Sequence, residues 1–140
     1  MAKDGIYRDF KKEDVETALI KACDRVGAPK YVLKMLEDAI NDPLWNHMKD
    51  YNGCTLVEDP THPYVPCFLH DWMWRTGRGG LEADNIFYHT QVLFGMPKKM
   101  ARRRYYGVRI GWFTFFKWKY VRIGLKTPHT ESIKEALKYI

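Results

Sequence analysis

The sequence predicts an all-α domain, and three observations support this class. Apolar residues recur at helical spacing along most of the chain. Glycine and proline fall at the ends of those segments, where they start or stop helices. The 140 residues, 46% of them hydrophobic, suffice for one core but not for two. We therefore expect a single domain over 1–140, comprising an N-terminal helical hairpin (1–45), a loop (46–65), a central hairpin (66–95) and a basic aromatic C-terminal segment (96–140).

The N-terminal hairpin shows a plain helical pattern. Residues 11–26 carry apolar side chains on one face, and Gly27 is suited to end that helix. A second helix is expected from Lys30 to Asn41, because the residue before Pro43 avoids helical angles. Cys23 lies at core spacing in the first helix and is expected to be a small buried apolar residue.

The loop that follows is long for a compact domain. Asn-Gly and two X-Pro steps predict irregular structure over 42–65, and loops of this length are usually functional or disordered. Aromatic residues at its ends and middle indicate that it is packed down. Its acidic residues are alternative cation ligands, although such side chains are more often solvated: Asp50, Glu58 and Asp59.

The central hairpin carries the residues with the clearest chemistry. Pro66 suits the first turn of a helix, which places Cys67, His70 and Trp74 on one face. The helix should end near Thr76, because the next glycines allow a tight reversal. A second helix over 81–94 then runs antiparallel to it, so that Asp84 faces His70.

A histidine beside a carboxylate has two interpretations. The imidazole of His70 can accept a proton from water near neutral pH, while Asp84 fixes its tautomer. Asp71, the next residue, could hold a hard cation such as calcium. The same spacing also fits a buried hydrogen bond that only holds two helices together, and spacing alone favours that structural interpretation.

Two stretches, Asn52–Cys54 and Tyr64–Arg75, resemble the secreted phospholipase A2 family, above all its small bacterial members. The shared pattern is a Gly-Cys loop before a Cys-x-x-His-Asp helix that ends in aromatic-Arg. The resemblance implies a phospholipase A2-like two-helix centre and calcium-dependent hydrolysis of a phospholipid ester. Asn52 stands where the bacterial members place an aspartate.

Carried over by position, the roles in that family fall on a small set of residues. His70 becomes the general base and Asp84 the residue that orients it. Calcium is implied at Asp71 and at the loop residues Asn52 and Gly53. The resemblance also implies a disulfide between the two cysteines that flank the loop, Cys54 and Cys67.

A broader resemblance covers roughly residues 50 to 112 and is the closer of the two. It is to an uncharacterised domain family of tailed bacteriophages, which implies a phage-encoded protein but no particular reaction. The matching residues are His70-Asp71-Trp72, Arg75-Thr76-Gly77, Glu82-Ala83-Asp84, Phe87, Gly95 and Pro97.

The three cysteines are too few for a disulfide-held scaffold. In a reducing cytosol they would remain thiols. A zinc site formed by Cys54, Cys67 and His70 is a further alternative, but it lacks the paired ligand spacing of zinc motifs.

The C-terminal segment is strongly basic. No acidic residue occurs between Asp84 and Glu131, and this interval accounts for the net charge of +6. A helix is expected from Pro97 to about Val108, loosened afterwards by two glycines. Residues 112–123 fit neither helical nor strand period cleanly, so a short helix and a strand pair both stay open. The chain should end in a short helix within 130–140.

Basic residues interleaved with aromatic ones suit three partners. They can dock on anionic lipid, contact nucleic acid or form an interface with another virion protein. Alternatively the aromatic residues belong to the core and the charges form a solvated face. The candidate surface residues are Lys98, Lys99, Arg102, Arg103, Arg104, Arg109, Trp112, Lys117, Trp118 and Lys119.

The sequence contains no run of 18 apolar residues, so it predicts no membrane-spanning helix. Its charged first residues do not resemble a signal peptide. We therefore expect the protein in the host cytoplasm or in the virion. The first functional hypothesis is a phage-encoded, calcium-dependent phospholipase A2-like hydrolase acting at a membrane. The alternative is a non-enzymatic virion or accessory protein that binds membrane, nucleic acid or a virion protein on the same scaffold.

Overall fold

The computed structural model of the protein describes residues 7–54, 64–122 and 127–140, and these contain helices but no strand. The all-α prediction is therefore confirmed. The elements are α1 (Lys12–Val26), α2 (Lys30–Asn41), α3 (His47–Asp50), α4 (Val65–Arg75), α5 (Leu81–Leu93), α6 (Lys98–Gly111), a π-helical turn (Trp112–Phe116), α7 (Lys117–Arg122) and α8 (Glu131–Leu137).

The N-terminal hairpin forms as its pattern predicts. Gly27 adopts φ 64° and ends α1, and its N–H donates to the Asp24 carbonyl at 3.1 Å. Helix α2 begins after Pro29 and ends before Asp42. Cys23 is buried in the core, and burial, helped by the nearby charge of Asp24, raises the pKa of its thiol to about 11.

Helix α4 lies at the centre of the molecule. Every residue from Val65 to Trp74 is buried, because α1, α2 and α5 all pack against this helix. Its partner α5 packs in turn against α6 and α8. The two helices therefore form the predicted central hairpin, and the core surrounds it on all sides.

Asp42 connects the N-terminal hairpin to the central one. Its carboxylate accepts from the Trp72 indole at 2.8 Å and from the Arg78 guanidinium at 2.7 Å. Burial acts to raise the pKa of Asp42, but the Leu44 N–H, the Trp72 indole and Arg78 outweigh it and hold the pKa below its ordinary value. The carboxylate is therefore stabilised as an anion at the junction of α2 and α4.

The C-terminal segment agrees with its prediction in part. Helix α6, the π-helical turn and α7 continue without a break over 98–122, so of the two alternatives left open for residues 112–123 the structure has the helix over 112–122, and the strand pair is wrong there. The glycines expected to loosen the helix do not interrupt it, since the buried side chains of Val108, Trp112 and Phe116 hold it against the core. The N–H of Lys117 donates to the Trp112 carbonyl five residues earlier, which is the π-helical hydrogen bond.

No helix among the described residues is long and apolar enough to cross a membrane. The expected C-terminal helix is present as α8, and the Thr130 side chain accepts from the Ile133 N–H at its start.

Candidate functional site

The histidine and aspartate predicted to face each other do so. Gly77 (φ 80°) and Gly80 (φ 128°) reverse the chain between α4 and α5. This brings Nε2 of His70 within 2.6 Å of Oδ1 of Asp84. Both side chains are buried, and Asp84 has no exposed surface. The pair therefore joins the two helices of the central hairpin through a short, buried polar contact.

Asp84 is held by two further donors. The Trp74 indole N–H donates to its Oδ1 at 3.1 Å, and the Arg109 guanidinium donates to its Oδ2 at 2.8 Å. A fully buried carboxylate needs both a counter-charge and hydrogen bonds to be tolerated. Arg109 supplies the charge from α6, and Trp74 supplies an additional hydrogen bond from α4.

His70 is also fixed by aromatic contacts. Its ring lies between Trp74 and Phe87, with centroid distances of 4.4 and 4.5 Å. Beside it is a cavity of about 10 Å³, which is close to the minimum volume for one water molecule. The other lining residues are Gly53, Cys54, Cys67, Asp71, Trp74 and Phe87. An ester substrate therefore needs these side chains to separate before it reaches the imidazole.

Cys54 and Cys67 form a disulfide, the same pair that the family resemblance implies. It joins the residue after Gly53 to the first turn of α4, and both half-cystines line the His70 cavity. Because both sulfurs are in this bond, the alternative zinc site has no thiolates to bind a metal.

The calcium ligands implied by the resemblance are arranged differently. Both carboxylate oxygens of Asp71 lie 2.9 Å from Nε of Arg75, one helical turn later. Calcium requires six to eight oxygen ligands, and the described residues contain no group of three His, Cys, Asp or Glu side chains suited to a metal. Asp71 supplies the one carboxylate of the implied site and is paired with Arg75, so these residues as arranged offer fewer oxygen ligands than calcium requires. Calcium binding at Asp71, Asn52 and Gly53 stays a prediction.

The alternative cation ligands of the loop are Asp50, Glu58 and Asp59. Asp50 accepts from the backbone N–H of Asn46 at 2.8 Å and so stabilises the start of α3. Glu58 and Asp59 lie outside the described residues.

The basic aromatic segment divides into an inner and an outer face. Trp112 is only 6% exposed, because it packs against Trp74, and it does not belong to the predicted surface. Arg109 turns inward to Asp84, and Arg104 donates to Gln91 at a long 3.4 Å. The remaining predicted members are exposed, namely Lys98, Lys99, Arg102, Arg103, Lys117, Trp118 and Lys119.

Three exposed aromatic side chains lie among these charges. Phe113, Phe115 and Trp118 are 56%, 58% and 62% exposed. Large apolar side chains so exposed and so close in sequence mark a contact surface more often than chance. We call these three rings, with the exposed basic residues of α6 and α7, the basic aromatic surface.

Two residues of the site were not predicted from sequence. Arg75 follows Asp71 by four residues, and the helical i,i+4 rule could have identified that pair. Arg109 lies 25 residues after Asp84, and no local rule relates two residues at that separation.

Comparison with known proteins gives no relative from which a role could be transferred: no family model, curated protein or solved structure matches the chain. The functional interpretation therefore depends on the residues and distances of the site itself.

Proposed function

We propose that the protein is a phospholipase A2-like hydrolase that cleaves an ester of an anionic phospholipid at a membrane surface. The observation that carries this proposal is the 2.6 Å contact between His70 Nε2 and the buried Asp84 carboxylate. An imidazole oriented by a carboxylate is a general base for water, the reagent that ester hydrolysis needs.

The role of each ring nitrogen of His70 follows from which of the two carries the proton. Asp84 accepts only, so Nε2 of His70 carries the proton in their hydrogen bond. Nδ1 is then the nitrogen with a lone pair, and it is the one that removes a proton from the attacking water. The carboxylate stabilises the imidazolium that forms. Trp74, which donates to the same Oδ1 atom, keeps the Asp84 side chain turned towards the ring.

The basic aromatic surface supports a lipid as the substrate. Its exposed rings suit the headgroup depth of a bilayer, where aromatic side chains are favoured. Its lysines and arginines complement anionic lipids, each contributing on the order of 1 kcal/mol near such a surface. An anionic bilayer is therefore the partner that matches both the charge and the exposed rings.

The test is fatty-acid release from anionic phospholipid vesicles, with calcium and then with chelator. Wild type should release fatty acid, and His70→Asn should not, in a sample that circular dichroism shows to be folded. His89→Asn is the matched control, because His89 lies on α5 and contacts Tyr31 rather than the site. Equal release by wild type and His70→Asn would contradict the mechanism, and the chelator arm tests the predicted calcium dependence.

A second candidate function is favoured by the closed site. The His70 cavity is about 10 Å³ in volume, and Asp71 is occupied by Arg75. Both features suit a non-enzymatic phage virion or accessory protein. In such a protein the hairpin is a scaffold, and the basic aromatic surface binds membrane, nucleic acid or another virion protein. Absence of fatty-acid release from folded protein that still binds vesicles would favour this candidate. Binding to duplex DNA with a steep salt dependence, and none to vesicles, would favour nucleic acid as its partner.

A further inference from the structure

Arg109 contacts both the buried site and the exposed surface. One nitrogen of its guanidinium lies 2.8 Å from Oδ2 of Asp84. Its guanidinium carbon lies 4.7 Å from the centre of the Phe113 ring, a cation–π contact. Asp84 is fully buried, whereas Phe113 is more than half exposed. A single side chain thus spans the distance between the carboxylate that orients His70 and a ring of the basic aromatic surface.

The π-helical turn provides a parallel connection. Trp112 and Phe116, which flank Phe113 on the inner face, lie 5.4 and 4.7 Å from Trp74 between ring centroids. Trp74 donates to Asp84 and lines the His70 cavity. A shift of the turn therefore reaches Asp84 through Trp74 as well as through Arg109. π-Helical turns within α-helices occur frequently at functional sites.

We propose that Arg109 is a positioning residue that couples lipid contact at Phe113 to the Asp84–His70 pair. The proposal rests on the proposed function, in that an anionic membrane is the partner and His70 the base. Lipid phosphate forms strong charge-assisted hydrogen bonds with guanidinium. When Phe113 enters the headgroup layer, phosphate competes with Asp84 for Arg109 and draws the side chain outward. The hydrogen bonds from His70 and Trp74 then provide a larger share of the stabilisation of the Asp84 carboxylate.

The indole N–H of Trp74 reports on this coupling directly, because it donates to Asp84. The full chain is labelled with ¹⁵N, and the Trp74 indole resonance is assigned by its loss in Trp74→Phe. Spectra are recorded with and without micelles of a short-chain phosphatidylglycerol. The wild-type resonance should shift on binding, and that of Phe113→Ala should shift by less than a fifth as much.

Two variants separate coupling from docking. Trp118→Ala removes an equally exposed ring of the same surface, so it should weaken micelle binding but keep the full shift at saturation. Arg109→Lys retains the charge without the planar fork, so it should fold and shift by an intermediate amount. A wild-type protein that binds micelles without a Trp74 shift, or an unchanged shift in Phe113→Ala, would overturn the proposal.

Measurements of vesicle hydrolysis distinguish a failure of the Arg109 coupling from a failure of the proposed hydrolase function. If wild type hydrolyses vesicles, Phe113→Ala should lower kcat by about tenfold, the effect of altering one hydrogen bond to a charged group. Trp118→Ala should instead raise KM at unchanged kcat, and a change only of KM in Phe113→Ala would also overturn the coupling. A Trp74 shift without any fatty-acid release would contradict the hydrolase and leave the coupling supported.

Discussion

The central helix α4 and the C-terminal helical segment α6–α7 are both rich in aromatic residues but use them in opposite ways. In α4 the indoles of Trp72 and Trp74 are buried and donate to Asp42 and Asp84. In the C-terminal segment, rings such as Trp118 are exposed among positive charges. The two buried indoles each hold a carboxylate in place, whereas the exposed rings are available for a partner.

The charges of the two regions show the same contrast. Three carboxylates of the central hairpin and its flank each pair with an arginine, as Asp42–Arg78, Asp71–Arg75 and Asp84–Arg109. The C-terminal segment contains no acidic residue of its own between Asp84 and Glu131. Changes in the hairpin should therefore affect stability, and changes on the outer face should affect binding.

The largest effect is expected at Asp84. Asp84→Ala leaves the Arg109 guanidinium without its buried counter-charge and removes the acceptor of His70 and Trp74. Breaking such a pair costs about 3–5 kcal/mol, so the free energy of unfolding in urea should fall by that amount. Asp24→Ala, at an exposed position of α1, should change it by less than about 0.5 kcal/mol. A loss below about 1 kcal/mol at Asp84 would show that the hairpin does not depend on this carboxylate.

The second largest effect on the free energy of unfolding is expected from loss of the Cys54–Cys67 disulfide. The bond closes a loop over a sequence separation of 13 residues, and bonds of that kind contribute about 2–4 kcal/mol by restricting the unfolded chain. The Cys54→Ala/Cys67→Ala variant should be less stable by this amount, measured by urea unfolding. Wild type treated with reductant should match it. Vesicle binding through α6 and α7 should not change at temperatures where both forms are folded, and a parallel loss of binding would contradict the separation of the two regions.

The hairpin could be predicted from sequence because its determinants are local. Pro66 and the glycines after Thr76 define the ends of α4, and the short connection places α5 antiparallel to it. These two facts suffice to bring Asp84 opposite His70. Arg109 could not be predicted there, since its position depends on how α6 packs against α5, a tertiary contact that no sequence period encodes.

The C-terminal segment could be predicted only in part. Its basic character is visible in the sequence, but the π-helical turn changes the angular spacing of side chains within 112–116. No single helical period therefore describes this stretch. The interleaving of basic and aromatic residues does not indicate which rings face inward, so it assigns Trp112 to the surface although this side chain packs against Trp74 and is buried, whereas Trp118 is exposed as predicted.

A smaller, pH-dependent effect is expected at Asp42. Its pKa in the folded protein is lowered from 3.8, so its stabilising contribution is fully present above that value and is lost as the pH falls through the folded pKa. Asp42→Asn should lower the free energy of unfolding by about 1.5–3 kcal/mol at pH 7, the usual range for a hydrogen bond to a charged group. The difference from wild type should shrink below pH 3.8, measured by urea unfolding at several pH values. A difference that stayed constant with pH would contradict the assignment of the charge.

The smallest effect on stability, and the largest on binding, is expected on the outer face. Phe115→Ala and Trp118→Ala remove side chains that are more than half exposed, so the free energy of unfolding should change by less than about 0.5 kcal/mol. Sedimentation with anionic vesicles should nevertheless show binding weakened by about tenfold, because each ring loses its contact with the headgroup layer. Phe10→Ala is the matched control, since Phe10 is 56% exposed and has basic neighbours in sequence but lies before α1, outside the basic aromatic surface. If Phe10→Ala weakened binding as much as Phe115→Ala, exposure of a ring alone would explain the effect. That result would contradict a specific role of the basic aromatic surface in vesicle binding.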